Sequence, residues 1–196
     1  MNLPNKLTIS RLLLTVAFLA VIFSEIRFHE TLALAFFLTA SITDYFDGMI
    51  ARRDKLITNF GILMDPLADK ILVCSAFIAF VGRGWVPAWM VVIIVARELA
   101  ITGLRLLAAS KSVVLAAEGY GKHKTVSQIV AILSVLVMVG YPHWGGWAKA
   151  AFGGELFHGP WFGWFTELSK WLAVVFTAIS GALYLWRNRN LYLHDL

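Results

Sequence analysis

Four aspartates between residues 44 and 69 are the side chains whose type and spacing best suit chemistry. Asp44, Asp47, Gly48 and Ala51 stand at i, i+3, i+4 and i+7, which is one face of an α-helix. Gly61, Asp65 and Asp69 stand at i, i+4 and i+8, again close to one face. Two successive helices would then turn four carboxylates toward one space. Four neighbouring anions cannot all stay ionised in a low-dielectric site without compensation. All are hard oxygen donors with no His or Cys among them, which selects Mg²⁺, Mn²⁺ or Ca²⁺ over Zn²⁺. Two such ions would offset the charge and clamp a transferring phosphoryl group. Gly48, Ala51 and Gly61 remove bulk beside the acids, so a phosphorylated ligand can approach the helix backbones. Plain small-residue helix contacts are the simpler use of those three. Arg52 follows at the helix end and suits a phosphate oxygen.

The elements that must carry these acids are membrane-like. The chain has 196 residues, 59% hydrophobic and only 15% charged, with a mean hydropathy of +0.74. Such a chain has too much apolar surface to be disordered and too few charges for an ordinary soluble domain. Six apolar stretches are long enough to cross a bilayer, approximately Leu7–Phe23, Thr31–Ala51, Ile62–Val81, Trp85–Ala109, Thr125–Tyr141 and Leu168–Trp186. The first lacks a small-residue cleavage site and opens on Pro4-Asn5, so it is expected to be retained. The expected fold is an all-α integral membrane protein with six transmembrane helices and a polar catalytic cavity open to the cytoplasm. No repeat or second domain is visible, so residues 1–196 are expected to form a single domain.

Basic residues divide nine to four between the two sides, counting Lys170 at the start of the sixth span with the connection before it, which places both termini in the cytoplasm. The net charge is +5, but no long solvated basic run exists, and nucleic acid is not an expected partner. Cys74 is the single cysteine, so there is no internal disulfide. The long connection 142–167 carries Trp144, Trp147, Trp161 and Trp164 and reads as a loop or short helix on the bilayer surface.

More charge lies within the spans. Arg97 and Glu98 fall in the middle of the fourth, and Arg105 nearer its cytoplasmic end. Intramembrane charges usually face a cavity or one another. Arg97 and Arg105 are therefore candidates for binding an anionic substrate. The alternative for Arg97 is a structural pair with Glu98 or another acid, although adjacent helical residues do not face each other. Lys122 and Lys124 either serve the same anion or belong to an ordinary positive-inside loop. Lys70 either tunes the charge beside Asp69 or snorkels. His123 reads as a loop residue.

Residues 44–69 contain Asp44-x2-Asp47-Gly48-x2-Ala51-Arg52-x8-Gly61-x3-Asp65-x3-Asp69. This resembles the signature of the CDP-alcohol phosphotransferase family, with all eight fixed positions filled. The segments LPNKLTISR (3–11), DPLADK (65–70), ARELAITGLR (96–105) and GKHKTVSQ (121–128) are similar to the phosphatidylglycerophosphate synthase branch. Those matches run from about residue 4 to residue 128. The remainder is alike in being hydrophobic, and its tryptophan-rich connection is longer than expected for that branch.

The resemblance implies an enzyme with six transmembrane helices in the bacterial cytoplasmic membrane, acting as a homodimer. It implies transfer of the phosphatidyl group from CDP-diacylglycerol to sn-glycerol 3-phosphate, releasing CMP. It assigns Asp44, Asp47 and Asp65 to metal (Mg²⁺ or Mn²⁺, two ions), and Asp69 to general-base catalysis with a further metal contact. Gly48, Arg52 and Thr58 fall at positions for the nucleotide donor, joined by Ala51 and Gly61 and by Asn5 and Thr8 of the N-terminal segment. For that acceptor, Arg97, Arg105, Lys122 and Lys124 are the candidate cations to hold the phosphate of glycerol 3-phosphate. Three other readings stay open: a sibling enzyme with another acceptor, such as a cardiolipin synthase using phosphatidylglycerol; a small cation channel or transporter; and a purely structural membrane scaffold.

Overall fold

A computed structural model describes the backbone of residues 3–54, 59–111, 120–156 and 159–193, and the side chains of 8–43, 67–68, 70–111, 123–156 and 159–192. Its long elements are α1 (Leu3–Ile22), α2 (His29–Asp54), α3 (Asn59–Gly82), α4 (Ala88–Ser110), α5 (Tyr120–Gly140) and α7 (Trp161–Arg187). They coincide with the six apolar stretches, with shifted ends. α1 covers Leu3–Ile22 and includes Pro4, which is tolerated in a first helical turn because its missing N–H costs nothing there. α5 begins at Tyr120, so Lys122, His123 and Lys124 are helical rather than in a loop. α7 begins at Trp161, seven residues before the apolar run was expected to enter the membrane at Leu168.

Among the described residues, two helical stretches are long and apolar enough to cross a membrane, His123–His143 and Trp161–Arg187. Shorter apolar stretches are Thr8–Ile22 and Lys70–Gly82. Arg97, Glu98 and Arg105 sit within the length of α4 and interrupt its apolar character.

Burial follows a pattern that fits a lipid surround. Outward-facing residues are apolar on each long helix, among them Val16, Ile42, Ile78, Val92, Val126 and Ile179. Buried positions include Thr15, Glu98, Lys124, Gln128, Ser134 and Thr177. In water that arrangement would leave an apolar exterior far larger than a soluble monomer carries.

The core has two characters. Around α1, α2 and α3 it is apolar, built from Phe18, Phe37, Phe77 and Phe80 with Ala33 and Ala40 allowing close approach of α2. Phe18 and Phe37 pack with ring centroids 6.0 Å apart. Between α5 and α7 it is partly polar. Ser134 Oγ and Ser169 Oγ are 2.7 Å apart, and Gln128 Nε2 donates to Thr177 Oγ1 at 2.9 Å. Small hydroxyl residues let two membrane-type helices approach closely and hydrogen-bond across the seam.

The described residues of the connection between α5 and α7 form short elements. It holds a 3-10 turn (Tyr141–His143), the short α6 (Gly146–Phe152), and the antiparallel pair β1 (Glu155–Leu156) and β2 (Gly159–Pro160). Gly145 has φ +93°, a backbone conformation that favours glycine. Three indoles satisfy their N–H groups within the protein. Trp144 donates to Thr31 Oγ1 at 2.6 Å, Trp161 to the Ala151 carbonyl at 2.9 Å and Trp164 to the Leu156 carbonyl at 2.9 Å. The rings of Trp147, Trp161 and Trp164 remain exposed. A satisfied indole donor and an outward ring suit the membrane–water boundary. A short α8 (Asn190–Leu193) ends the described chain, with Lys111 Nζ donating to the Leu191 carbonyl at 3.1 Å.

Candidate active site

α2 is continuous through Asp54 and α3 through Asn59–Gly82. The one-turn spacings of Asp44, Asp47, Gly48 and Ala51, and of Gly61, Asp65 and Asp69, therefore fall on helix. The side chains of Asn5, Asp44, Asp47, Gly48, Ala51, Arg52, Gly61, Asp65, Asp69 and Lys122 lie outside the described residues, as does Thr58 altogether. Among the described residues there is no group of three metal-ligating side chains. On α1, Thr8 is fully buried, and Arg11, three residues on, is buried with it.

The described part of the site is a cluster of buried charge joining α4, α5 and α7. Lys124 of α5 forms an ion pair with Glu98 of α4, and both side chains are under 10% exposed, at 9% and 8%. Glu98 Oε1 also lies 3.4 Å from Arg97 Nη1. Arg97 Nη2 donates to Ser180 Oγ of α7 at 3.0 Å. The adjacent pair that helical spacing disfavoured is thus formed. Arginine's long stem lets its guanidinium reach back to a neighbour whose Cβ points elsewhere. The stem lies against Gly181, where a Cβ would come 2.7 Å from Arg97 Cγ.

Two further contacts tie neighbouring helices to this cluster. Lys70 of α3, one residue past Asp69, donates from Nζ to Thr102 Oγ1 of α4, so it is turned inward rather than snorkelling. Thr102 in turn donates to the Glu98 carbonyl at 2.7 Å. Arg105 is exposed, and its guanidinium carbon lies 5.9 Å from the centroid of the Tyr184 ring on α7. Arg97 and Lys124 therefore share one buried cluster, while Arg105 sits at its outer side, two turns along α4.

Glu98, Ser180 and Gly181 were missed as site residues. Glu98 had a signal, since a carboxylate among intramembrane cations needs a partner. Ser180 and Gly181 had none that distinguishes them from other small residues on a membrane helix.

The electrostatics follow from composition and burial. Arg97 and Lys124 share the Glu98 carboxylate, and all three side chains are largely shielded from solvent. Such a centre can receive an anion, and arginine's forked donors match a phosphate.

A mostly helical membrane protein with an acid signature on two helices and a buried charged cluster on three others defines a class. Residues 1–179 match the family model of CDP-alcohol phosphatidyltransferase, and the chain belongs to that family. It is 39% identical over 199 residues to the CDP-diacylglycerol–glycerol-3-phosphate 3-phosphatidyltransferase of Bacillus subtilis (strain 168), covering 95% of each chain. The enzyme of the same name from Cereibacter sphaeroides is 32% identical over 220 residues, covering 99% of this chain and 98% of the relative. A probable phosphatidylglycerophosphate synthase of Mycobacterium tuberculosis (strain H37Rv) is 44% identical over 146 residues, covering 72% and 69%. The first two likenesses extend past the motif-bearing first 128 residues into α5 and α7.

Proposed function

We propose that the chain transfers the phosphatidyl group of CDP-diacylglycerol to sn-glycerol 3-phosphate, giving phosphatidylglycerol phosphate and CMP. The acceptor assignment is carried by the Arg97–Glu98–Lys124 cluster, where Arg97 keeps a buried Nε donor without a partner, which suits a phosphomonoester brought by a small polar alcohol. Two relatives that align along nearly the whole chain are named for this reaction.

Asp44, Asp47, Asp65 and Asp69 would hold divalent cations, Mg²⁺ or Mn²⁺ and two in number. The donor set fits, being all carboxylate and spaced by one turn on continuous helices. Bound ions of this kind neutralise a diphosphate and stabilise the departing nucleotide. Gly48, Ala51 and Gly61 leave room for the donor beside the acids, and Arg52, Thr58, Asn5 and Thr8 contact it. Asp69 takes the proton from the primary hydroxyl of glycerol 3-phosphate. That oxygen bonds to the phosphorus bearing the lipid, and the bond from that phosphorus to CMP breaks in line. General-base assistance contributes about 10²–10⁴-fold, so positioning must supply much of the rest. Arg97, Arg105, Lys122 and Lys124 hold the acceptor phosphate.

In this reading the six long helices all cross the bacterial cytoplasmic membrane, both termini face the cytoplasm, and the enzyme is a homodimer. The diacylglycerol tails stay in the bilayer while the head group enters from the cytoplasmic leaflet. The deciding experiment uses purified protein, labelled CDP-diacylglycerol and a panel of acceptors, with and without Mg²⁺. Metal-dependent CMP release with glycerol 3-phosphate, and not with phosphatidylglycerol, serine or inositol phosphate, is the expected result. Release with another acceptor would assign the chain to a sibling branch.

A further inference from the structure

Arg97 is held by its neighbours without being saturated by them. Nη2 donates to Ser180 Oγ at 3.0 Å and Nη1 reaches Glu98 Oε1 at 3.4 Å. Nε is buried with no hydrogen-bond partner. The guanidinium has five N–H donors in a rigid fork, so donors remain for an incoming oxyanion. Glu98 is shared with Lys124, and its contact with Arg97 Nη1 at 3.4 Å is the looser of the two.

Two residues of α7 set where the fork points. Gly181 provides the floor on which the Arg97 stem lies, since a Cβ there would meet Cγ at 2.7 Å. Ser180 provides the acceptor that fixes one end of the guanidinium. Both are buried, and both lie just past residue 179, where the family match ends. One turn further, the Tyr184 ring lies under Arg105, and its hydroxyl is buried with no hydrogen-bond partner. A single stretch of α7 thus touches both arginines that α4 offers to the acceptor.

We infer that Ser180 and Gly181 are positioning residues for the acceptor. They hold the Arg97 fork in one orientation so that its unused donors meet the phosphate of glycerol 3-phosphate. The inference rests on the acceptor reading given above. An arginine ordered before the substrate arrives need not be ordered by it, and that advantage appears in acceptor affinity rather than in donor affinity.

The test uses the full-length protein in detergent–lipid micelles, with KM measured separately for CDP-diacylglycerol and glycerol 3-phosphate. The variants are R97A, S180A, S180T, G181A and the double variant R97A/G181A. We expect G181A to raise the acceptor KM about tenfold and S180A about fivefold, each with the donor KM unchanged within about twofold. S180T keeps the oxygen and should recover most of the loss. R97A/G181A should be no worse than R97A alone, because Gly181 acts through Arg97. A parallel rise in both KM values, or a double variant clearly worse than R97A, would overturn the positioning role. If R97A raises the acceptor KM while S180A and G181A do not, the inference fails and the acceptor reading stands. If R97A itself leaves the acceptor KM unmoved, the acceptor reading fails. Should G181A not be recovered folded, the S180A and S180T pair decides alone.

Discussion

Among the described residues, two lysine–glutamate pairs lie in the helical bundle, and they differ in everything but chemistry. Lys124 and Glu98 join α5 to α4, with both side chains under 10% exposed. Lys170 and Glu167 are three residues apart on α7, 2.6 Å between charges, with Glu167 57% exposed. The second pair is local and wet on one side. Its lysine also reaches the Trp85 carbonyl at 3.4 Å, beside the turn that links α3 and α4. It fastens one end of α7. The first pair has a third member, Arg97, which reaches the same carboxylate. Identical groups thus close a seam at one end and leave an anion-receptive centre at the other. What separates them is the shared carboxylate, not the presence of a salt bridge.

The contrast can be broken by mutation. The largest effect belongs to Asp69, the base of the proposed reaction: Asp69→Asn should abolish turnover while donor binding persists, measured by CMP release and by retention of labelled CDP-diacylglycerol. Turnover that survives removes Asp69 from that role. Glu98→Ala comes next, since it removes the carboxylate that Lys124 and Arg97 share. Breaking a buried pair in this way costs about 3–5 kcal/mol, read as lower unfolding stability in detergent together with lost activity. Arg105→Ala should be milder, raising the acceptor KM more than the donor KM. An equal rise in both would place Arg105 outside the acceptor site. Glu167→Ala is the smallest, about 0.2–1 kcal/mol in stability with kinetics unchanged, as for exposed ion pairs. A Glu167→Ala loss as large as that of Glu98→Ala would erase the distinction between the two pairs.

Much of this was legible in the sequence because lipid simplifies the reading. A run of some twenty apolar residues has few structural options, so the long helices were evident while their ends were not. Lys122 and Lys124 looked like loop residues because charge marks a span's end in hydropathy, yet lysine is a good helix former and α5 starts before them. The tryptophan segment showed its composition but not its fold, since the 3-10 turn, α6 and the β1–β2 pair depend on indole hydrogen bonds to distant carbonyls and to Thr31. The acid signature was legible because its spacing is local to two helices. Ser180 and Gly181 were not, because what singles them out is an arginine more than eighty positions away in the chain.

The inner side of α7 carries Thr166, Ser169, Lys170, Ala173, Thr177, Ser180 and Gly181, and its outer side carries Leu168, Trp171, Leu172, Val175, Phe176 and Ile179. One residue more or fewer within that run would swing everything beyond it by about 100° about the helix axis. Hydroxyls would then meet hydrocarbon, and bulky rings would press into a seam built for small groups. α7 therefore has a single permitted azimuth, keyed along its length, while the α6 connection before it can take up differences in chain length without turning the key.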